Sequence, residues 1–377
     1  MHKAAQKAFR LSASYGLAVV VLLFLLLLTL LGTLEQVDHG LYAARKKYFQ
    51  SAVLVHEFFG IVPVPLPGVY TLLVVGFVNL LAGGVIRARK GWNQAGILTA
   101  HAGVLLLLLG AFVGFEFGER GQLTLYEGEQ ANSIVSPESW EIAIARAASG
   151  AKAREYIVSQ DAFAEATRQT PATFRAEGLP FEVILSDYFP NARPRPAGDG
   201  IERLDTSGEV EQNIPALRVV VAHEDSNQSH QKILWGLDET PWRFSLNGEQ
   251  WLVELRRRTR TLPFYVRLDK FTRELHPGTD IPKTFKSDVT IIGQNGSRQA
   301  VISMNEPLRY GGYTFYQASW GPPDAAPGHP LYSSLAVVRN PAEEWPLWAC
   351  TVICIGLAIH FGRKLAVYLA AETGKAR

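Results

Sequence analysis

The sequence is poor in cysteine, and the little it has lies in an unusual place. Its only two cysteines, Cys350 and Cys354, fall in one apolar stretch near the C-terminus. They are one helical turn apart and would share a helix face. A redox or metal pair is one interpretation, but small apolar side chains suited to helix packing are the favoured one. The rest of the chain has no disulfide, so any large domain there depends on its own core.

The signatures of common catalytic sites are also absent. The sequence has no GxSxG, HExxH or P-loop motif, and no glycine-rich dinucleotide motif after a strand. A formal net charge of +2 is too small to indicate nucleic acid binding. We therefore expect a protein that is not an enzyme, has no catalytic residues and does not bind nucleic acid.

What the sequence has instead is long apolar runs. A helix crosses the roughly 30 Å hydrocarbon core with about 20 apolar residues. Four segments meet that requirement, at residues 15–33, 67–86, 95–115 and 345–362. The first follows a basic start, as a signal peptide does, but its run is longer than usual and no A-x-A-like cleavage site follows it. We therefore predict four transmembrane helices, the first of them an uncleaved anchor.

Basic residues near the ends of these segments predict their orientation, because Lys and Arg concentrate on the cytoplasmic side. They are present in the N-terminus (1–14), the loop 87–94 and the tail 363–377. An even number of spans places all three on one side, which we take as the cytoplasm. The loop 34–66 also carries basic residues, but acidic residues accompany them. We predict that this loop and the block 116–344 face outside.

The outer block reads as an all-β domain. Short stretches such as GQLTLYEGE and FYVRLDKF alternate apolar and polar residues, and Gly, Pro and Asn separate them. Only 151–168 looks helical. This pattern predicts a sandwich or barrel-like domain. The predicted fold class is therefore a membrane protein with four transmembrane α-helices and a large all-β extracytoplasmic domain.

Within this block, LPFEVILSDYF at 179–189 resembles LPFYVRLDKF at 262–271. The similarity indicates either a duplicated β unit or the common pattern of strands entered through a proline. The charged, Pro- and Gly-rich loops 193–213 and 321–330 are predicted to be mobile or to contact a partner. The aromatic strand 310–320 is predicted to be core, with a ligand- or protein-binding face as the alternative.

Two histidines at membrane depth are the most informative residues. His101 lies within the third span and His360 near the end of the fourth. An ionisable side chain inside a span is costly and usually faces protein or a cavity, and imidazole is a common axial ligand of haem iron. The alternative for each is a histidine bonded to a neighbouring helix, with Asn79 as a candidate partner of His101.

Depth separates these two candidates. By helix rise, His101 lies roughly 13 Å and His360 roughly 5 Å from the inner edge of the membrane. One iron held between them is therefore not expected, and the second axial ligand would come from another polypeptide. His101 is the stronger candidate because its surroundings are drier. His39 and His56 lie in the first outer loop. They would either meet haem at the outer face or be ordinary surface histidines, and the surface interpretation is favoured for both.

Four stretches of the chain are similar to the ResB (CcsB-type) proteins of the System II pathway of cytochrome c maturation. The stretches occur in the family's order, and the resemblance covers nearly the whole chain. They are RKGWNQAGILTAHAGVLLLLLGAFV leading into GQLTLYEGE, LPFYVRLDKFTRELHPGT, KSDVTII, and NEPLRYGGYTFYQASW. The resemblance implies three early spans, a large outer domain and one final span. It also implies a bacterial cytoplasmic (inner) membrane protein.

The resemblance further implies a role in handling haem b that is transported and is not a permanent prosthetic group. Such proteins pair with a ResC/CcsA-type membrane partner and present reduced haem to apocytochrome c, alongside the thiol-reducing proteins of the pathway. His101 matches the family's early-span histidine of a haem site, and His360 matches a histidine near the end of the final span. The partner's tryptophan-rich WWD-type motif is absent here. A membrane-anchored scaffold that binds a protein without touching haem is the alternative.

Overall fold

The computed structural model describes residues 2–58, 60–147, 154–195, 200–204, 214–222, 229–278, 282–294, 296–322 and 329–375. These fall into two compact units. A helical unit comprises Met1–Gly118 and Asn340–Arg377, and a β unit comprises Glu119–Thr206 and Gln212–Arg339.

Five α-helices form most of the described helical unit: α1 (His2–Ser12), α2 (Tyr15–Ala44), α3 (Val69–Asn79), α4 (Ala95–Phe117) and α5 (Trp345–Lys375). π-helical segments extend α2 over Arg45–Phe49 and α3 over Leu80–Ile86, and a 3-10 turn at Trp92–Gln94 precedes α4. Strands β1 (Val53–Phe58) and β2 (Val62–Pro67) pair as an antiparallel hairpin between α2 and α3.

Among the described residues, four helical segments are long and apolar enough to cross a membrane, which confirms the predicted number of spans: Tyr15–Phe49, Val69–Ile86, Trp92–Phe117 and Trp345–Thr373. The first continues well past residue 33, where the apolar run ends. The helix is interrupted at Gly40, whose backbone is non-helical (φ 81°), and the chain turns there. This turn lets the Lys47 ammonium donate to the Glu35 carboxylate at 2.7 Å. Much of the segment 34–66, expected as a loop, is therefore helix and hairpin.

A seam of glycines joins α4 to α5. Gly96, Gly103 and Gly110 are buried and recur every seven residues, so they lie along one side of α4. A Cβ atom at Gly103 would lie 2.9 Å from the backbone nitrogen of Ile353 on α5. Small residues at such a seam let two helix backbones approach closely, which is the usual basis of helix packing in membranes.

The two cysteines lie outside this seam. Ala349 of α5 is fully buried, whereas Cys350 and Cys354 are exposed. The interpretation of these cysteines as packing residues therefore finds no support in the contacts between α4 and α5.

The β unit is entirely antiparallel in its described strands. The strands are β3 (Glu119–Tyr126), β4 (Gln130–Arg146), β5 (Glu155–Ser159), β6 (Ala172–Phe174), β7 (Glu182–Phe189), β8 (Ala192–Pro194), β9 (Ile201–Arg203), β10 (Ala216–Ala222), β11 (Ser229–Trp235), β12 (Trp242–Leu246), β13 (Glu249–Leu275), β14 (Pro282–Gly293), β15 (Gly296–Ser303), β16 (Leu308–Tyr310), β17 (Tyr313–Gly321) and β18 (Tyr332–Arg339).

One ten-stranded sheet curls into a nearly closed barrel, as the sequence predicted. Its main path runs β15-β14-β13-β4-β3-β18-β17-β16. Contacts across the interior link distant strands of this path. The fully buried Ser287 hydroxyl of β14 donates to the Gln317 side chain of β17 at 2.6 Å, and lies 2.8 Å from the Ser333 hydroxyl of β18. These polar contacts hold the two ends of the sheet together around an apolar core.

Two hydrophobic cores share the same long strands. The barrel core includes Ile134 of β4 and Val266 of β13. The second core includes Ile144 of β4 and Val253 of β13, packed with the smaller sheet β11-β10-β7-β6. Between them the pairing of β4 with β13 is irregular at Arg257–Thr259. The β unit therefore combines a barrel with a sandwich-like second layer.

The sequence similarity between 179–189 and 262–271 corresponds to equivalent positions in these two cores. Phe181, Val183 and Leu185 are buried in the second core, and Phe264, Val266 and Leu268 are buried in the barrel. In each case the strand pairs with a following antiparallel strand through an irregular register, β7 with β10 and β13 with β14. Both stretches are therefore strands with alternate buried positions, which either a duplicated unit or a common strand pattern would give.

The weak helical pattern at 151–168 was misleading. Its described part contains strand β5, which pairs with β4, and a 3-10 turn at Gln160–Ala162. Burial alternates along β5, with Val158 buried and Ile157 exposed, as strand geometry requires.

The aromatic strand is core on one face: Tyr313 and Phe315 are buried, whereas Tyr316 is exposed. Of the two loops predicted to be mobile or to contact a partner, residues 196–199, 205–213 and 323–328 lie outside the described residues. The remaining part of the first loop includes the short pair of strands β8 and β9.

Candidate functional site

His101 lies on α4 with its imidazole directed at the neighbouring π-helical segment. Its Nδ1 atom is 2.9 Å from the carbonyl oxygen of Gly84. A carbonyl can only accept a hydrogen bond, so Nδ1 carries the proton and donates it. In the neutral ring, Nε2 then bears the lone pair. Among the described residues, Nε2 has no hydrogen-bond partner.

The local fold of 80–86 explains this contact. Leu80–Ile86 is the last, π-helical turn of its span, and carbonyls in a final turn lack partners within their own helix. Gly84 offers such a carbonyl without a side chain in front of it. A Cβ atom there would lie 2.8 Å from Nδ1 of His101. The glycine is therefore required for the imidazole to approach the backbone.

Asn79, the partner considered for His101, is engaged elsewhere. Its side-chain nitrogen donates to the carbonyl oxygens of Ser12 and Ser14 at 2.7 and 3.0 Å. These bonds anchor the junction of α1 and α2 on α3. The expectation of a bond from His101 to a neighbouring helix is thus met by the Gly84 backbone and not by Asn79.

His360 has different neighbours from His101. Its backbone lies against Gly96 in the α4–α5 seam, and its ring centroid is 5.2 Å from that of Phe361. Gly96 precedes His101 by five residues, a rise of about 7.5 Å and a turn of roughly 140° around α4. The described contacts place the two histidines at different levels, and ligation by either stays a prediction.

The end of α5 beyond His360 is fixed by a basic residue. The Arg363 guanidinium donates to the Trp92 carbonyl and to the side-chain oxygen of Asn93, in the turn that precedes α4. The two helices that carry the candidate histidines are therefore tied together at this end as well as along the seam.

The histidines of segment 34–66 are not alike. His39 is largely exposed and lies 3.5 Å from the Glu35 carboxylate. Nδ1 of His56, by contrast, lies 2.5 Å from the hydroxyl of Tyr48, a fully buried side chain. His56 is therefore not a simple surface histidine. Sequence reasoning missed Tyr48 because nothing in its local sequence indicates a polar partner.

The donor set of the helical unit suits only certain metal centres. Within the part of the chain that is described, no group of three or more His, Cys, Asp or Glu side chains could hold a bare metal ion. A porphyrin supplies four nitrogen ligands to its iron, so one imidazole with a free Nε2 is sufficient on one side. His101 fits that requirement.

These features define a class: a multi-span membrane protein with a large β domain and a histidine hydrogen-bonded to the backbone of a neighbouring helix. The ResB-like family model matches residues 77–179 and 247–327. The first of these stretches contains the Gly84–His101 contact, whereas His56 and His360 lie outside both. Over these two stretches the chain is similar to the ResB-like family.

Individual relatives show the same similarity. Protein NrfI of Wolinella succinogenes is 23% identical over 292 residues, which cover 76% of this chain and 29% of NrfI. The cytochrome c biogenesis protein CcsB of Synechococcus elongatus is 34% identical over 86 residues, covering 22% of this chain and 16% of CcsB. CcsB of a Picosynechococcus species is 33% identical over 94 residues, covering 23% and 20%. The chain spans less than a third of the length of each of these relatives.

Proposed function

We propose that this chain is a membrane subunit of the System II cytochrome c maturation complex. It helps to export haem and to present it to apocytochrome c for covalent attachment. The observation that carries the proposal is the hydrogen bond from Nδ1 of His101 to the Gly84 carbonyl. Histidines that ligate metals characteristically donate their second ring nitrogen to a backbone carbonyl or carboxylate, which fixes the tautomer and the ring orientation.

In this proposal the chain acts by positioning and exchanging ligands and not by covalent catalysis. His101 would hold haem iron through Nε2. A ResC/CcsA-type partner would supply a second ligand, since the backbone of His360 lies against Gly96, about 7.5 Å along α4 from His101. His360 is the secondary candidate in this chain.

The proposed location is the bacterial cytoplasmic membrane, with both termini inside and the β unit outside. The support is the basic character of the segments predicted to be cytoplasmic, including Arg87, Arg89, Lys90 and Arg363. In that arrangement the β unit is placed to contact the partner, apocytochrome c and the thiol-reducing proteins of the pathway.

The test is the haem absorption spectrum of the chain purified together with its partner. We expect His101→Ala to reduce haem content and to shift the Soret band. His360→Ala reports separately on the secondary candidate, and His329→Ala, an exposed residue of the β unit, is the matched control. An unchanged spectrum and haem content in His101→Ala would contradict the role of His101 as a ligand. If cytochrome c assembly also continued in that variant, a scaffold that does not touch haem would be the better description.

A further inference from the structure

A second prepared histidine lies at the other end of the helical unit. The buried Tyr48 hydroxyl is 2.5 Å from Nδ1 of His56 and 3.2 Å from a carboxylate oxygen of Glu35. His56 is on β1, in the hairpin that precedes Val69. From Val69 to Gly84 the span advances by about 22 Å. This cluster is therefore separate from the His101 site.

The protons of this cluster can be assigned from its donors and acceptors. The Glu35 carboxylate lies 2.7 Å from the Lys47 ammonium and 3.5 Å from Nδ1 of His39. A carboxylate held by these groups is ionised and can only accept hydrogen bonds. Tyr48 therefore donates its single proton to Glu35. Its contact with His56 is then a hydrogen bond only if Nδ1 of His56 donates to the Tyr48 oxygen.

This assignment leaves Nε2 of His56 with its lone pair. In the described part of the chain that atom has no hydrogen-bond partner. The ring is half-buried, and Phe58 packs edge-on against it with a centroid separation of 4.5 Å. His56 and His101 thus share one arrangement. In each, Nδ1 donates a hydrogen bond to an oxygen atom, and Nε2 has no hydrogen-bond partner among the described residues. Such second partners are typical of metal-ligating histidines.

Apolar surface for a flat macrocycle is also present at this end of the unit. An apolar cleft of about 340 Å³ is lined by Phe49, the residue after Tyr48, and by Tyr70, Phe77, Phe112 and Phe115 among others. A bare metal ion would need further protein ligands, which the described residues do not bring together. An iron porphyrin needs one imidazole per face.

We propose that His56 is a second, independent ligand for haem iron, positioned by Tyr48 and Glu35 at the opposite end of the helical unit from His101. The proposal rests on the proposed haem-handling function. It extends that function by giving the chain two haem-binding positions, one at each end of the same set of helices. Tyr48 is a positioning residue, because it acts through the tautomer of His56.

The test is a titration of the purified full chain with ferric protoporphyrin IX, followed by Soret absorption. We expect two haem equivalents for the wild type, one for His56→Ala, one for His101→Ala and none for the double variant. His39→Ala, which removes a neighbouring exposed histidine, should still bind two. Tyr48→Phe keeps the buried ring but removes the hydroxyl. It should weaken the His56-dependent equivalent by about 10–100-fold and leave the other unchanged, which also shows that the variant is folded.

The outcomes separate this proposal from the proposed function. Two equivalents in His56→Ala, or a single wild-type equivalent that only His101→Ala removes, would overturn the His56 site and leave the His101 site standing. Loss of one equivalent in His56→Ala with none lost in His101→Ala would support the His56 site and overturn the role of His101. A wild-type chain that binds no haem would overturn both.

Discussion

Nδ1 of His101 lies 2.9 Å from the carbonyl oxygen of Gly84, a residue with no side chain to keep the imidazole away. We predict that Gly84→Ala displaces the ring, because the new Cβ would lie 2.8 Å from Nδ1 of His101 and 2.8 Å from Cδ1 of Leu80. Loss of such a second partner typically lowers metal affinity by about 10–100-fold. A haem titration of the purified chain measures this.

The control for this change is Gly16→Ala, also in a helix of the same unit, where an added Cβ meets nothing within 4 Å. It should bind haem like the wild type. Wild-type affinity in Gly84→Ala would show that the carbonyl contact does not position His101.

The glycine seam between α4 and α5 leads to a prediction about stability. Gly103→Ala would place a Cβ 2.9 Å from the backbone nitrogen of Ile353 and 3.0 Å from the carbonyl oxygen of Ala349. Backbone atoms cannot rotate away, so the helices must separate. Overpacking of this kind costs about 1–3 kcal/mol. We expect a lower thermal midpoint in detergent, followed by tryptophan fluorescence.

Gly362→Ala on α5 is the matched control, because an added Cβ there has open space. Its thermal midpoint should equal or exceed that of the wild type, since alanine favours helix over glycine. Equal midpoints for the Gly103 and Gly362 variants would contradict close packing at the seam.

Within the barrel, neighbouring residues of β17 should differ sharply. Phe315 is fully buried, whereas Tyr316 is 38% exposed. Removing a buried phenylalanine side chain typically costs about 3–5 kcal/mol, because the contacts are lost and a cavity remains. We expect Phe315→Ala to lower the denaturant midpoint of the full chain strongly and Tyr316→Ala to change it little. A larger loss of stability in Tyr316→Ala than in Phe315→Ala would contradict the burial of the Phe315 face of β17.

A buried carboxylate in the β unit depends on one arginine. The Arg256 guanidinium donates to Glu141 at 2.9 Å, and Glu141 is 3% exposed. Burial disfavours the charged guanidinium, but hydrogen bonds to Glu155 and Glu141 outweigh this and raise the Arg256 pKa. Breaking a buried ion pair typically costs about 3–5 kcal/mol. Because Arg256 is partly exposed, we expect Arg256→Met to lower the free energy of unfolding by an amount near the lower limit of that range. The change in denaturant midpoint is the measurement.

Two further variants test this explanation. Arg256→Met combined with Glu141→Gln should recover part of the loss, because the unpaired charge is gone. Arg193→Met, which breaks an exposed pair with Glu202, should leave the midpoint near the wild-type value. No recovery in the double variant would indicate that Arg256 acts through packing alone.

The proposed orientation predicts which positions a membrane-impermeant maleimide reaches in intact cells. With Cys350 and Cys354 replaced by alanine, a cysteine at Ser297 of β15 should be labelled without lysis. A cysteine at Arg89, in the loop 87–94, should be labelled only after lysis. Both residues are exposed in the fold, so accessibility alone does not distinguish them. The opposite pattern would invert the topology.

The sequence predicted the spans well, because an apolar run such as 95–115 is a local property that lipid requires. It also predicted strands with clear alternation, such as the one holding Phe315. The turn at Gly40 and the helical segment up to Phe49 were missed, since they depend on Glu35 meeting Lys47 and Tyr48 after the chain folds. Likewise, His101 stood out in the sequence, but its partner is a backbone carbonyl, which any residue has.

β13 is the longest of the described strands, and it passes through both cores of the β unit. A strand shared in this way leaves no linker at which the barrel and the second layer could swing apart. Because β13 belongs to both cores, opening one core would also disturb the strand pairing of β13 in the other core. We therefore expect backbone amides on both sides of Arg257 to exchange with solvent together, as one cooperative unit. A partner of the β unit would therefore bind one rigid domain and not two subdomains that move independently.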